Sequence, residues 1–475
     1  MQVKPFDLGL QRPEYVANPD VLLVSLAHSM YELQLGNDQA LVFQNMRKGK
    51  AAKSLTFRET FPYGAGFENW RTALDAAGFE AHEAGILDVV AEALVESLKN
   101  VHSERAKSQT SIPITPMTSL LQNVSGIVGK RGAANFAVIL EQIQLLSAAS
   151  DSTVAERWFG ALQERLNVDS LASAMDDAVR SSLLKDLHPQ VRHGAVSTSH
   201  LLPASDLVSQ IQRSPNGLTP MHWFENAWGK VTSPDWVEAL PARRWVDWAS
   251  TVLRHGFAFG YLWEAHFYRR LAELVLQPKS VDVVDADLDN CINASGKLFT
   301  WRDSQLAPAS RALSIRQELL LGLRARRFFH GEEFASGTSL LDATRELHDD
   351  EQRRSELRRH LADPRVPSMD KNCWESVKYA LLVRPGAGER RDHYGLCRAN
   401  SSWLYADPGA EWVVVMASLC APEPKSATTA GTLLKELNRL GINVGLRELL
   451  RHVEASGLAE LAADADQAVI IETAF

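Results

Sequence analysis

The sequence predicts a mainly α-helical, multi-domain protein with a small β-containing segment ahead of a compact C-terminal module. The chain has 475 residues, which is too long for one ordinary hydrophobic core. Hydrophobic residues make up 45% and charged residues 23%, as in folded globular proteins. Apolar residues recur at helical spacing through most of the chain, whereas strand-like patterns occur mainly after residue 393.

Net charge and cysteine usage limit the function classes. The formal net charge is −8, so any contact with nucleic acid requires a local basic patch. The four cysteines are too few for a disulfide scaffold and favour a reducing compartment. The first residues lack the apolar stretch of a secretory signal, and the longest apolar run, 412–421, is too short to cross a bilayer. We therefore expect a cytoplasmic protein without membrane contact.

The first predicted domain, residues 1–105, combines helices with a basic loop. Asn18 or Asp20 caps a helix expected at 19–35. A loop or hairpin follows at 46–63, and aromatic residues come directly after its basic residues. Such a loop can follow a phosphate backbone while the aromatic rings stack on bases, although a solvated loop is the alternative. The candidate nucleic-acid contacts here are Arg47, Lys48, Lys50, Lys53 and Arg58.

The second predicted domain, residues 120–280, is helical. Thr153 and Glu156 have the spacing of a capping box, which predicts the start of a helix. Another helix is expected at roughly 168–187, followed by a loop over 188–205.

A tryptophan-rich block lies inside this domain and holds six of the twelve tryptophans between Trp223 and Trp263. Gly256 and Gly260 lie four residues apart and would let another helix approach closely. Two interpretations stay open. Aromatic residues at helical spacing form a core, or they form an assembly surface, because Trp and Arg dominate interface hot spots. The candidate interface residues are Trp223, Trp228, Trp236, Trp263, Arg243 and Arg244.

The third predicted region, residues 281–420, is helical at first and then β-containing. Helices are expected at 310–329 and 339–361, and short strands follow around the turn "DPG". The first of these helices carries three arginines without a nearby acid. A nucleic-acid strand can lie across such a ridge, and a solvated face is the alternative. The candidates are Arg324, Arg326 and Arg327.

The same region contains residues with the chemistry of a zinc site. Cys373, His393, Cys397 and Cys420 would form a Cys₃His set, and the spacing of His393 and Cys397 suits two ligands from one turn. The region lacks the tight CxxC pair of most structural zinc sites. Buried free thiols are therefore the competing interpretation, and a protein without cofactor is expected.

The C-terminal module, residues 431–475, contains two short helical patterns, a turn at Gly441 and a strand-like tail. This order over about 432–475 resembles a winged-helix domain. Arg447 and Arg451 on the second helix are its candidate DNA contacts. However, residues 425–475 carry five basic and seven acidic residues, and phosphate attraction dominates non-specific DNA affinity. The module is therefore expected to contact protein, or to be structural, rather than to read DNA.

Every catalytic template tested fails at a named position, which favours a non-catalytic role. For example, "SGIVGKRG" has Val124 and Arg131 where a phosphate-binding loop needs Gly and Ser or Thr. A long helical body that ends in a winged helix resembles accessory subunits of bacterial multi-gene DNA-restriction or antiphage defence systems. The resemblance implies a scaffold or adaptor subunit with other protein subunits as partners, and with DNA or RNA bound at local basic patches. The alternatives are a nucleic-acid-binding subunit or regulator that uses the 46–63 loop and the winged helix, and a zinc-containing enzyme or domain.

Overall fold

Helices dominate the fold, which confirms the mainly α-helical prediction. No helix in the described ranges is both long and apolar enough to cross a membrane. The computed structural model describes residues 2–14, 16, 19–35, 72, 75, 112–120, 135–147, 152–182, 187–191, 201–213, 219–383, 393–400, 403–459 and 468–475.

A long central helix divides the other helices into those that precede it in the chain and those that follow it. Those before it are α1 (Pro19–Met30), α2 (Pro116–Leu120), α3 (Phe136–Leu145), α4 (Val154–Val168), α5 (Ser170–Ser182), α6 (Asp206–Arg213), α7 (Pro220–Val231) and α8 (Pro234–Ala239). The central helix and those after it are α9 (Ala242–Val275), α10 (Asp285–Ile292), α11 (Ile315–Phe329), α12 (Leu340–Asp349), α13 (Glu351–Ala362), α14 (Ser368–Leu381), α15 (Ala410–Ser418), α16 (Ala430–Arg439) and α17 (Leu446–Ala455).

Short strands join distant parts of the chain. They are β1 (Gln2–Val3), β2 (Tyr31–Leu35), β3 (Leu187–Val191), β4 (Phe299–Trp301), β5 (Ala312–Leu313), β6 (Phe334–Ala335), β7 (Cys397–Asn400), β8 (Trp403–Ala406), β9 (Ala427–Thr429), β10 (Ile442–Val444) and β11 (Ile470–Glu472). The pairs β1–β6, β2–β3 and β9–β11 are antiparallel, and β4–β10 is parallel. A three-stranded antiparallel sheet has the order β5-β8-β7.

The central helix α9 is buried along most of its 34 residues because α1, α7, α11 and α14 pack around it. A Cβ atom at Gly256 would lie 2.4 Å from Cδ2 of Phe224, and one at Gly260 would lie 2.9 Å from Cδ1 of Ile143. The prediction that these two glycines permit close helix packing is therefore confirmed. One hydrophobic core runs from Phe6 to Ile471, so all four predicted segments contribute to it.

Residues 2–14, here called the N-terminal strap, run across the helical body. The hydroxyl of Tyr268 donates a hydrogen bond of 2.7 Å to the carbonyl oxygen of Phe6. The Phe6 ring lies between Phe329 and Phe334, with centroid distances of 5.1 and 5.7 Å. The strap thus contributes to the core through Phe6, Leu8 and Leu10, which alternate along its sequence and are at most 1% exposed.

Two predicted helices are shorter than expected. The helix predicted at 19–35 ends at Met30, and Tyr31–Leu35 forms β2, paired with β3 inside the predicted loop at 188–205. The sequence "YELQL" alternates polar and apolar residues, the period of a strand. The helix predicted at 339–361 is divided at Asp350, whose carboxylate accepts hydrogen bonds from the backbone N–H groups of Gln352 and Arg353 and caps α13.

The valine run "WVVVMAS" is helical, not extended as predicted, and forms α15. All seven of these residues are buried. A short, fully buried apolar run has no polar face, so its periodicity does not distinguish a strand from a helix. Two of the strands predicted in this region are present as β7 and β8.

The C-terminal module contains the predicted helix–turn–helix in α16, β10 and α17. Gly441 adopts a φ of 95° between the helices, a conformation that favours glycine. Strand β11 pairs with β9, which precedes the first helix, and β10 pairs with β4 outside the module. The turn predicted for the wing lies in 460–467, outside the described residues, so the resemblance to a winged helix stays a prediction.

Gly322→Ala is expected to destabilise the protein by about 1–3 kcal/mol. A Cβ atom at Gly322 in α11 would lie 2.1 Å from the carbonyl oxygen of Ala265 in α9, so the two helices would have to separate. Gly160→Ala in α4 is the matched control, because no heavy atom lies within 4 Å of its added Cβ. Because alanine has a higher helix propensity than glycine, the free energy of unfolding of this control is expected to rise by about 0.5–1 kcal/mol. Urea unfolding followed by circular dichroism measures both, and equal effects would contradict the close packing of α9 on α11.

Candidate nucleic-acid interface

A basic groove, here called the arginine groove, lies between α11 and the end of α13. Its volume is about 580 Å³. Two of the predicted arginines, Arg324 and Arg327, lie on its α11 side. The groove is lined by Arg324, Arg327, Arg359, His360, Ala362, Asp363 and Arg365.

The arginines on the two sides of the groove differ in freedom. Arg359 and Arg365 are 74% and 86% exposed, and each has an acidic neighbour. Arg359 Nη2 lies 3.4 Å from Oε1 of Glu356, and Arg365 Nη2 lies 2.9 Å from Oδ2 of Asp363. Exposed pairs of this kind contribute little, so a phosphate group can replace them. Arg324 donates from Nη1 to the carbonyl oxygen of Leu361 over 3.3 Å, and Arg327 Nε lies 3.6 Å from Oδ2 of Asp370. The α11 side is therefore fixed and the α13 side is adaptable.

The groove carries a positive field on an acidic protein. Asp363 is the single carboxylate among the seven lining residues, against four guanidinium groups. Arg365 donates two side-chain hydrogen bonds to Asp363 and holds the pKa of that carboxyl down to about 2. Burial, Arg327 and Arg359 lower the pKa of His360, so its ring adds no positive charge at neutral pH. Such a site attracts phosphate groups.

Arg326, the third arginine predicted on this helix, does not reach the groove. Its Nε lies 2.9 Å from Oε1 of Glu264, and its Nη2 donates to the carbonyl oxygen of Leu10 over 3.2 Å. Positions 324 and 327 are three apart and share a helix face, whereas 326 points toward α9. The assignment of Arg326 to nucleic-acid binding is therefore corrected: its partner is a buried carboxylate.

Arg326 belongs to a buried Arg–Glu–Arg cluster that joins the strap to α9 and α11. Arg12 Nη1 lies 2.7 Å from Oε2 of Glu264, whose side chain is 0% exposed. The Arg12 guanidinium also lies over the Tyr261 ring, 5.3 Å from its centroid. Burial by itself lowers the pKa of Arg12, but the Glu264 carboxylate and other neighbours raise that pKa by a larger amount. The net pKa lies above the ordinary value, so Arg12 stays charged. Sequence reasoning missed this cluster, although an acid inside "YLWEAHFY" is the signal that could have indicated it.

The polar face of α17, where a winged helix would read DNA, packs against the chain itself. Arg451 Nη2 donates to Oδ1 of Asp303 over 3.2 Å. The backbone N–H of Ser304 donates to Oε1 of Glu448, which is buried. Arg451 is therefore corrected from a candidate DNA contact to an internal one, whereas Arg447 remains exposed on α17.

The five basic residues predicted in the 46–63 loop lie outside the described residues. Arg47, Lys48, Lys50, Lys53 and Arg58 therefore stay predictions from the sequence.

The tryptophans predicted as a partner surface are core residues. Trp228, Trp236 and Trp263 are at most 1% exposed, and Trp223 is also buried. The indole of Trp263 donates a hydrogen bond of 2.8 Å to the carbonyl oxygen of Ile292. The assembly-surface interpretation of these four rings is corrected, because none presents a face to a partner.

The two arginines grouped with them are partly exposed. Arg243 Nε lies 3.0 Å from Oδ2 of Asp247 on the same helix. Arg244 pairs with Glu411 at the start of α15 and lies over the Phe475 ring, 5.8 Å from its centroid. Arg244 thus joins α9 to the C-terminal part of the chain, and the role of both arginines toward a partner stays a prediction.

The four predicted zinc ligands do not come together. All of them are described residues, and among those residues no three His, Cys, Asp or Glu side chains form a group that could hold a metal ion. Burial raises the pKa of the Cys373 and Cys420 thiols to about 12, which disfavours the thiolate that binds zinc. The predicted zinc ligands Cys373, His393, Cys397 and Cys420 are therefore corrected to three separate free thiols and a histidine. Cys373 and Cys397 are buried, and Cys420 is partly buried.

No protein-family model, no curated protein and no solved structure matches this chain.

Proposed function

We propose that this protein is a helical scaffold subunit of a nucleic-acid-handling assembly and binds a phosphate backbone along the arginine groove. The observation that carries the proposal is the convergence of Arg324, Arg327, Arg359 and Arg365 on one open groove of a chain with net charge −8. The guanidinium fork matches two phosphate oxygens at once, which a lysine ammonium does not do.

The shape of the groove supports an extended, flexible polyanion. The fixed arginines on α11 hold one line of positive charge, and the exposed Arg359 can turn toward a strand from the other side, next to the Arg365–Asp363 pair. Because Arg365 already satisfies Asp363, a phosphate entering the groove meets three arginines without a bidentate acid partner. We infer backbone contact without base reading, since no Phe, Tyr or Trp side chain is among the described residues that line the groove.

The scaffold part of the proposal is supported by the continuous core around α9, which fixes the groove on rigid helices. The assembly is proposed to be of the bacterial restriction or antiphage defence type, which the resemblance of the helical body with its terminal module suggests. A cytoplasmic location is proposed with it, and the four free cysteines suit a reducing compartment.

The test is a charge-matched pair of variants. Arg359→Gln/Arg365→Gln removes two exposed groove arginines, and Arg213→Gln/Arg358→Gln removes two arginines outside the groove. Binding of a labelled single strand and a labelled duplex is measured by fluorescence anisotropy across a salt series. The groove variant is expected to weaken binding roughly tenfold and to reduce the slope of log K against log salt by roughly 1.4 to 1.8. The control is expected to keep the slope.

Equal salt slopes for the two variants would show that the phosphate-binding site lies outside the groove. Parent protein that binds neither strand nor duplex at low salt would overturn the proposal. Retained binding in the groove variant, lost on changing Arg47, Lys48, Lys50 and Lys53 to alanine, would assign the function to the 46–63 loop instead.

A further inference from the structure

A second basic cavity lies at the opposite end of α11 from the arginine groove. It is enclosed by α9, β4, β5 and the first turn of α11, and its volume is about 190 Å³. The two sites share no lining residue, and their nearest lining residues on α11, Leu319 and Arg324, are five positions apart, about 7.5 Å along the helix axis. The cavity is independent of the proposed nucleic-acid surface.

Two cations at the rim of this cavity have no acidic partner among the described residues. Lys297 makes no ion pair there, and Arg302 donates from Nη1 only to the carbonyl oxygen of Ser310 over 2.6 Å. A third cation, Arg269, also lines the cavity and pairs with Glu318, the single carboxylate on its wall. Positive charge therefore exceeds negative charge around the opening.

The first turn of α11 adds backbone donors on the same side. The first intrahelical bond runs from the N–H of Glu318 to the carbonyl oxygen of Ser314, so the N–H groups before it lack intrahelical partners. Ser314, the residue before the helix, accepts no capping hydrogen bond with its side chain. The positive end of a 15-residue helix dipole thus meets the cavity at Ser314 and Ile315.

A buried polar group in the wall of the cavity lacks a partner. His266 is 8% exposed and lines the cavity, and its Nε2 has no hydrogen-bond partner among the described residues. Buried polar atoms in folded proteins are nearly all hydrogen-bonded, so this nitrogen is available to a polar atom of a molecule in the cavity. Burial, Arg269, Arg270 and Lys297 lower the pKa of His266 to about 4, and the neutral ring offers one hydrogen bond.

We propose that this cavity binds a small phosphate monoester. The phosphate group lies between Lys297, Arg302 and the N–H groups that open α11, where anions bind favourably. The organic part lies inside, against the apolar side chains of Leu262 and Leu319 and within reach of His266. Inorganic phosphate fills only the rim, so an ester that also covers the apolar wall binds more tightly.

The probes are AMP, adenosine and inorganic phosphate, measured by isothermal titration calorimetry on the full chain. AMP is expected to bind more tightly than phosphate, and adenosine not to bind. Lys297→Gln/Arg302→Gln is expected to weaken AMP binding at least tenfold. Both side chains are exposed, so this variant is expected to fold. Arg270→Gln is the matched control, because Arg270 follows Arg269 on α9 but pairs with Glu273 and does not line the cavity.

A second readout follows the His266 ring by NMR, where AMP is expected to shift the Nε2 resonance in the parent and not in the double variant. Competition with oligonucleotides distinguishes the source of the monoester. A 5′-phosphorylated strand that displaces AMP, when its 5′-hydroxyl counterpart does not, identifies a nucleic-acid end as the ligand. Displacement by neither strand identifies a free small molecule.

Absence of AMP and phosphate binding to the parent, or unchanged affinity in Lys297→Gln/Arg302→Gln, would overturn the proposal. The groove variant Arg359→Gln/Arg365→Gln is expected to bind AMP like the parent. The nucleic-acid proposal and the phosphate-monoester proposal are therefore tested by different variants, and either one can fail without the other.

Discussion

Glu264→Ala is expected to lower the free energy of unfolding by about 3–5 kcal/mol. The Glu264 carboxylate lies 2.7 Å from Arg12 Nη1 and 2.9 Å from Arg326 Nε, and it is fully buried. Without it, two guanidinium groups face each other away from water with no compensating charge. The strap should then detach from α9 and α11. Urea unfolding gives the energy, and hydrogen exchange of residues 2–14 shows whether the strap is released.

The control removes all three charges together. Arg12→Met/Glu264→Leu/Arg326→Met replaces the cluster by apolar side chains of similar length and is expected to be more stable than Glu264→Ala alone. This order follows because the cost arises from the unpaired arginines, not from the loss of a favourable ion pair. If Glu264→Ala differs from the parent by less than about 1 kcal/mol, the cluster is not the attachment of the strap.

The fold class and several local features could be predicted because they depend on neighbouring residues. The capping box is one example: Thr153 Oγ1 accepts from the N–H of Glu156, whose carboxylate accepts from the N–H of Thr153. The spacing of Gly256 and Gly260 is another, since a missing side chain on one helix face has a direct geometric meaning. Both depend on at most five consecutive residues.

The strap, the arginine groove and the basic cavity depend on contacts distant in sequence, so local patterns could not reveal them. Arg12 and Arg326 are more than 300 residues apart, yet they share Glu264. Counting basic residues placed Arg324, Arg326 and Arg327 in one patch, but the fold turns Arg326 inward and adds Arg359 and Arg365 to the other two. Charge in a sequence indicates a site only once the helix faces are known.

Trp263→Ala is expected to cost about 3–5 kcal/mol, because it removes a large ring from the core around α9. Trp263 is fully buried and stacks on Phe267 with a centroid distance of 5.8 Å. The substitution also leaves the carbonyl oxygen of Ile292 without its indole donor. Trp263→Phe keeps part of the packing and loses the hydrogen bond, so it is expected to cost less than Trp263→Ala, at about 1–3 kcal/mol.

The same variant tests the assignment of Trp263 to the core of the isolated chain. Substitution of a core residue lowers the unfolding midpoint of the isolated chain. Substitution of an interface residue leaves that midpoint unchanged and weakens binding of the partner. Trp403→Ala is the control, because Trp403 in β8 is partly exposed and its loss should cost much less. An isolated Trp263→Ala chain as stable as the parent would contradict the packing of α9 on α10 and restore the partner surface at Trp263.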